Sequence, residues 1–125
     1  MDLQIKELLD HIDELAGKVR GQYITVGPGQ EATYIMKEAQ ARELVESNYT
    51  VPIKGLMRAE MIATNSTVEV SCARILTEKA QWEYISGVVE TIRRPTKLAI
   101  QTATTEEDRL MAYHAGVGQL KKLLV

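Results

Sequence analysis

The chain has 125 residues and a formal net charge of −2, and 45% of its residues are hydrophobic although only 5% are aromatic. This length favours one domain with a modest core, and so few aromatic residues suit helix packing better than a β-sandwich. The charge offers no general attraction for nucleic acid, one cysteine excludes an intrachain disulfide, and no apolar run reaches the ~20 residues that cross a bilayer. We therefore predict a mainly α fold: a small helical domain with heptad-patterned helices at both ends and at most one short β-hairpin or strand segment.

The first predicted helix covers residues 2–20 and carries a seven-residue hydrophobic repeat. Its apolar residues alternate at spacings of three and four, which is typical of helices that pack along a narrow seam. The residues of this N-terminal seam are Ile5, Leu8, Ile12, Leu15 and Val19. The pattern resembles a parallel two-stranded coil but is too short to be stable alone. The alternative is an ordinary amphipathic helix that packs on its own domain.

A short strand and a turn are predicted over residues 22–29, between the first helix and the second. Gly21 is expected to end the first helix in the left-handed conformation, and Tyr23–Val26 is a β-prone run. Gly27-Pro28-Gly29 breaks this run. Because the Lys-Ser/Thr pair of a phosphate-binding loop is absent, we interpret these three residues as a plain turn.

The second and third helices are predicted over 30–47 and 54–64. Pro52 forces the residue before it toward extended geometry, so the segment between the two helices is interpreted as a connector. The predicted buried side of the second helix consists of Ala32, Ile35, Met36, Ala39 and Leu44.

The longest predicted helix follows Ser66, which fits a capping box with Glu69. Its apolar face, interrupted only by Lys79, consists of Cys72, Ile75, Trp82, Ile85, Val89 and Ile92. Pro95 lacks an amide hydrogen and clashes with the preceding turn, so a break or kink is expected near Arg94. Residues 97–103 are expected to add a further turn or two.

The last predicted helix is capped by Thr105 together with Asp108, and it carries a second heptad seam. The residues of this C-terminal seam are Leu110, Tyr113, Val117, Leu120 and Leu124. We therefore predict an N-terminal oligomerisation or docking helix over 1–21, a central helical domain over 22–104 and a C-terminal docking helix over 105–125. Whether the two seams pack within one chain or between chains stays open at this stage.

No catalytic, cofactor-binding or metal-binding residue is predicted, and the chain is not expected to be an enzyme. His11 and His114 are far apart in sequence and have no metal-type partner spacing, so both are interpreted as solvated or rim residues. Cys72 lies on an apolar helix face and has no histidine partner, which favours a buried structural thiol.

Two features could contact a partner. Trp82 is the one large aromatic residue, and it is interpreted as a core residue or as an interface anchor. Arg93, Arg94 and Lys97 form a basic cluster without interleaved aromatic residues. A solvated helix end or an acidic partner is therefore favoured over nucleic acid for this cluster.

The segment from Arg20 to Ala39 reads RGQYITVGPGQEATYIMKEA. It resembles a recurrent segment of small tail-associated and tail-fibre-associated structural proteins of tailed bacteriophages, with a Tyr-Ile-Thr run, a Pro/Gly turn, Gly-Gln, an aromatic residue and a helix. The second half of the chain also resembles this group through Ala80, Trp82, Val89, Glu90, Ile92, Arg93, Arg94, Lys97, Ile100 and Ala103. The resemblance covers about residues 20–105, and it departs at Pro95, where the family pattern usually continues as helix.

The resemblance implies a virion structural or tail-assembly role. We expect a structural component of a phage tail or tail-fibre apparatus, made in the host cytoplasm and located in the virion. The expected partners are the chain itself, as a dimer or trimer, and other tail or fibre proteins, with no nucleic acid, membrane or cofactor. The alternatives are a tail-fibre assembly chaperone absent from the mature particle and a cellular helical adaptor protein.

Overall fold

The computed structural model describes residues 2–23 and 30–125. Five helices occur in this part of the chain: α1 (Leu3–Gly21), α2 (Gln30–Glu46), α3 (Gly55–Thr64), α4 (Val68–Thr102) and α5 (Glu106–Lys122). The described residues contain no strand, so the predicted mainly α fold is confirmed. Most of the predicted strand and the turn after it lie outside the described residues, and Tyr23, the first residue of that strand, lies in a turn.

Contacts divide the chain into two compact units. Unit 1 comprises Met1–Ile24 and Glu83–Val125, and unit 2 comprises Thr25–Trp82. α4 therefore contributes its second part to unit 1 and its first part to unit 2. The sequence predicts a central domain over 22–104, whereas the contacts group residues 83–104 with the two end helices. Each unit has a hydrophobic core of its own.

A side chain caps the start of α1. The Asp2 carboxylate accepts a hydrogen bond of 2.7 Å from the Gln4 backbone N–H, which satisfies one of the free amides at the helix start. α1 ends at Gly21 as predicted, but Gln22 follows in a right-handed helical conformation with φ −73°. Gly21 has no positive φ, so the prediction of a left-handed glycine here is wrong.

The core of unit 1 is formed by the apolar faces of α1, α5 and the second part of α4. Its buried residues are Leu9, Ile12, Leu15, Ala16, Val19, Ile85, Val89, Ile100, Val117 and Leu120. Burial of one such leucine, isoleucine or valine side chain contributes roughly 1.5–3 kcal/mol relative to exposure, so this aliphatic set dominates the stability of the unit.

The connection from α4 to α5 is short and held by hydrogen bonds. The Thr105 hydroxyl accepts from the Asp108 backbone N–H at 3.1 Å, so the predicted cap of α5 is confirmed. The Arg109 guanidinium donates to the carbonyl oxygens of Ile100 (3.2 Å) and Ala103 (3.0 Å). Ile100 lies in the last turn of α4 and Ala103 directly follows that helix, so Arg109 fixes the turn between α4 and α5.

Gly116 marks a close approach of α5 to α4 within unit 1. It is buried, and a Cβ atom added there would lie only 2.6 Å from the Thr96 Oγ1 atom and 3.0 Å from the Thr96 Cβ atom. Thr96 is itself buried. The missing side chain of Gly116 therefore provides the space that Thr96 occupies.

Unit 2 has a smaller core. Its buried residues are Ala41, Leu44, Met57, Cys72 and Ile75, contributed by α2, α3 and the first part of α4. An ion pair of 2.9 Å between Lys37 and Glu60 joins α2 to α3.

Among the described side chains, the predicted buried side of α2 is correct only for Leu44. Ile35, Met36 and Ala39 are exposed, and Ala41 is buried instead. The side chain of Ala32 lies outside the described residues. Ala41 and Leu44 are three residues apart, so they lie on one face of α2 together with Lys37. Ile35 therefore lies on the opposite side of the helix.

Among the described residues of unit 2, three residues other than glycine adopt positive φ angles. Asn65 has φ 49° and ends α3 in the left-handed conformation, which asparagine tolerates better than most residues. Asn48 and Tyr49 have φ 55° and 61° in the connector after α2. Tyr49 packs against the core of unit 2, so that packing holds a backbone conformation that is uncommon for a bulky residue.

The start of α4 differs from the predicted capping box. The hydroxyl of Thr67, rather than Ser66, accepts a hydrogen bond of 3.3 Å from the Val70 backbone N–H. The Ser66 hydroxyl instead contacts the hydroxyls of Ser71 and Thr64. The prediction of Ser66 as the cap is therefore wrong by one residue.

α4 also continues through Pro95 to Thr102. A break or a kink is predicted near Arg94: a break does not occur, a kink stays a prediction, and the further turns predicted over 97–103 are present to Thr102. Pro95 costs the helix one hydrogen bond, and burial of Thr96 and Ile100, which both follow Pro95 in α4, favours continuation of the helix.

Candidate functional site

The two end helices lie side by side in unit 1 and run in the same direction. Near their starts, the Gln4 side-chain amide donates to the Glu106 carboxylate at 3.2 Å. Near their ends, the Val125 backbone N–H donates to the Gln22 side-chain oxygen at 3.0 Å. Between these contacts the ring of His11 meets the hydroxyl of Tyr113. The partners are 102 or 103 residues apart in all three contacts, which defines a parallel pair of helices with a constant register.

Both predicted seams face the interior of unit 1. Ile12, Leu15, Val19, Val117 and Leu120 are buried in its core. Four further seam residues pack partly buried against that core, namely Ile5, Leu8, Tyr113 and Leu124, and Leu110 is also partly buried. The seams thus meet within one chain. The predicted role of these residues in oligomerisation stays a prediction.

A charged network joins α1 to α4 beside this core. The Asp13 carboxylate accepts hydrogen bonds from Arg93 Nε (2.8 Å) and from Lys97 Nζ (2.8 and 3.0 Å). The Glu90 carboxylate forms ion pairs with Arg20 and, at 3.2 Å, with Arg93. The later residue of α1 pairs with the earlier residue of α4, so these two helices run in opposite directions.

The network shifts the pKa values of both carboxyl groups. Burial acts to raise the pKa of Asp13, but the hydrogen bonds from Lys97 and Arg93 together outweigh burial and hold this pKa below its usual range. The hydrogen bond from Arg20 is the main reason why the pKa of Glu90 is also lowered.

We expect acid to weaken unit 1 through this network. Because both folded pKa values are lowered, the ion pairs contribute stability above about pH 4, and the contribution is lost as the pH falls below the unfolded pKa values. The side chains of Asp13 and Glu90 are 40% and 35% exposed, so solvent screening limits each contribution to about 1 kcal/mol or less. Urea unfolding between pH 7 and pH 3 should show a smaller loss of stability for Asp13→Asn than for the unchanged chain. Parallel losses for both proteins would contradict this assignment.

The predicted basic cluster is divided by this network. Arg93 and Lys97 are paired with Asp13, while Arg94 is exposed and has no ion-pair partner among the described residues. A depression of about 740 Å³ lies along this part of α4, and it is lined by Arg93, Arg94, Pro95, Lys97, Leu98 and Gln101. It combines cationic with apolar side chains and contains no acidic side chain. Sequence reasoning identified the three cations but missed the apolar half, because Leu98 was assigned only to a helical extension.

Trp82, the predicted anchor, is half-buried at the end of unit 2. The Lys79 ammonium lies 5.8 Å from the centre of its ring, at the outer limit of a cation–π contact. The indole N–H is buried and has no hydrogen-bond partner among the described residues. The role of Trp82 as an interface anchor stays a prediction.

Cys72, His11 and His114 lie in the environments that the sequence predicts for them. Cys72 is fully buried in the core of unit 2, and burial raises the pKa of its thiol, which disfavours the reactive thiolate. His11 lies at the rim of the seam, where its Nδ1 atom is 2.6 Å from the Tyr113 hydroxyl. His114 is exposed, with its ring against the Tyr113 ring at 5.1 Å.

Within residues 2–23 and 30–125, no group of three or more His, Cys, Asp or Glu side chains is placed to hold a metal ion. None of the helices described is both long and apolar enough to span a membrane. The Gly-Pro-Gly turn predicted at 27–29 lies outside the described residues. In comparisons with known proteins, no family model, curated protein or solved structure matches the chain.

Proposed function

We propose that the chain is a structural component of a bacteriophage tail or tail-fibre apparatus, which docks to other tail proteins through the outer faces of its helices. The resemblance of residues 20–105 to small tail-associated proteins supplies this setting. The chain would dock by helix packing, because a protein of this composition makes contacts mainly through helix faces.

One observation carries the proposal: the two seams close on each other within unit 1. A parallel pair of end helices, locked by the antiparallel α4, gives a building block that needs no partner to bury its core. Such a block keeps its outer faces for neighbours in an assembly. Several large apolar side chains lie on those faces in unit 1, namely Leu3, Tyr84, Leu98 and Met111.

Location of the chain in purified phage particles tests the proposal. We expect quantitative mass spectrometry to find it at a fixed ratio to the known tail proteins, and to find the same ratio after a high-salt wash. Abundance in infected-cell extract together with absence from particles would contradict the proposal and favour an assembly chaperone. A gene located outside any tail gene cluster would favour a cellular adaptor.

A further inference from the structure

Positive charge is in excess around the second part of α4. Three cations, Arg20, Arg93 and Lys97, share the two carboxylates of Asp13 and Glu90. Arg94 adds a fourth cation that has no ion-pair partner among the described residues. This local excess stands out in a chain whose formal net charge is −2.

The depression beside these cations also exposes apolar surface. Leu98 is 60% exposed, and Pro95 next to it is exposed as well. Arg94 and Leu98 are four residues apart and therefore neighbours on one face of α4. An occupant that fits this surface needs carboxylates to face Arg94 and some apolar surface to cover Leu98.

The chain itself carries a matching acidic surface in the same unit. Glu106, Glu107 and Asp108 form the first turn of α5, all three are exposed, and none has an ion-pair partner among the described residues. Met111, one turn further along α5, is 64% exposed. Only residues 103–105 separate α4 from this acidic turn, so the basic and acidic surfaces lie in neighbouring elements of unit 1.

We propose that a second copy of this chain occupies the depression, with the acidic turn of each copy against Arg94, Pro95 and Leu98 of the other. Two complementary surfaces on one unit allow the same contact to be made twice around a twofold axis, which gives a closed dimer. The contact leaves both seams inside their own chains. It does not depend on the proposed tail function, because it concerns the association of the isolated chain.

Sedimentation velocity on the full chain tests the dimer. We expect a monomer–dimer equilibrium that favours the dimer at about 50 mM salt and dissociates at about 500 mM salt, because salt screens exposed charges. Arg94→Glu and Glu107→Lys should each weaken the dimer at least about tenfold, since each reverses one charge in both copies of the contact. Lys122→Glu, an equal charge change in the last turn of α5, should leave the dissociation constant unchanged. Far-UV circular dichroism verifies that each variant is folded.

An equimolar mixture of the Arg94→Glu and Glu107→Lys proteins provides the decisive test of the contact. In the mixed pair one contact keeps the original charges and the other has both charges reversed, so the mixture should dimerise more tightly than either variant alone. A wild-type chain that stays monomeric up to about 500 µM would overturn the proposal. A trimer, a dimer insensitive to Arg94→Glu, or a mixture that fails to associate would overturn it as well.

Discussion

Replacement of Ile12 by alanine should lower the free energy of unfolding of unit 1 by about 2–5 kcal/mol. Ile12 is fully buried at the centre of the N-terminal seam, in a core that also contains Val117 and Leu120 from the other seam. The substitution removes apolar contacts and leaves a cavity that the surrounding helices fill only in part. Urea unfolding followed by far-UV circular dichroism measures the loss, and hydrogen exchange of α1 and α5 assigns it to unit 1.

Leu3→Ala is the matched control for this prediction. Leu3 lies on the same helix but is 76% exposed, so its truncation should cost less than about 0.5 kcal/mol. Equal losses of stability in the two variants would contradict a core shared by the two seams. A loss of protection from hydrogen exchange in α1 but not in α5 would contradict it as well.

Gly116→Ala should destabilise unit 1 even though alanine is the better helix former. A Cβ atom at this position overlaps the Thr96 side chain, and overpacking of this kind costs about 1–3 kcal/mol. The gain of about 1 kcal/mol in helix propensity reduces that cost, so the net loss of stability should reach at most about 2 kcal/mol. Thr96→Ala removes the atoms that clash, so the double variant should recover most of the stability lost in Gly116→Ala.

Gly118→Ala provides the opposite expectation on the same helix. A Cβ atom there meets nothing within 4 Å, so alanine should stabilise α5 by about 0.5–1 kcal/mol. Thermal unfolding of the two variants should therefore shift in opposite directions. Shifts of the unfolding temperature in the same direction would contradict the close approach of α4 and α5. A Gly116→Ala/Thr96→Ala double variant no more stable than Gly116→Ala would contradict it as well.

The sequence predicts the helices of this fold better than it predicts what they contact. The three-four repeats correctly place buried faces on α1 and α5, because the period of apolar residues is a local property of each helix. The repeat does not encode the partner, and 102 or 103 residues separate the partners of the three hydrogen bonds that join the two end helices. A parallel seam has the same sequence pattern whether it forms within one chain or between two chains, so only the structure distinguishes the two arrangements.

The wrong predictions arise where tertiary packing outweighs a local rule. Ile35 and Met36 are apolar, yet the core of unit 2 takes Ala41 and Leu44 from α2, so the contact of α2 with α3 rather than the hydrophobicity of single residues decides which face is buried. Pro95 removes one hydrogen bond, but burial of Thr96 and Ile100 favours continuation of the helix. The apolar part of the depression on α4 was missed for the same reason, since exposure of Leu98 follows only from the packing of its neighbours.

The closed seams also change which variants inform on assembly. Aspartate in place of Ile12 and Leu15 would unfold unit 1, so a loss of assembly in that variant would not identify a contact between chains. Substitutions on outer faces, such as Arg94→Glu, are needed because they leave the core intact. A structural role in the tail and a dimer of the isolated chain can then be tested separately.

Double electron–electron resonance between spin labels tests the intrachain, parallel pairing of the end helices most directly. In a Cys72→Ala background, labels at positions 4 and 106 report on neighbouring helix starts, and labels at 4 and 122 report on opposite ends of α1 and α5. Positions 106 and 122 are offset along the helix axis by about 24 Å, from 16 residues of helix at 1.5 Å each, so the distance for the second pair should be clearly longer than for the first. The account predicts a short distance for 4 and 106 that persists when labelled chain is diluted with unlabelled chain. A short distance for 4 and 122, or a signal for 4 and 106 that disappears on dilution, would contradict it.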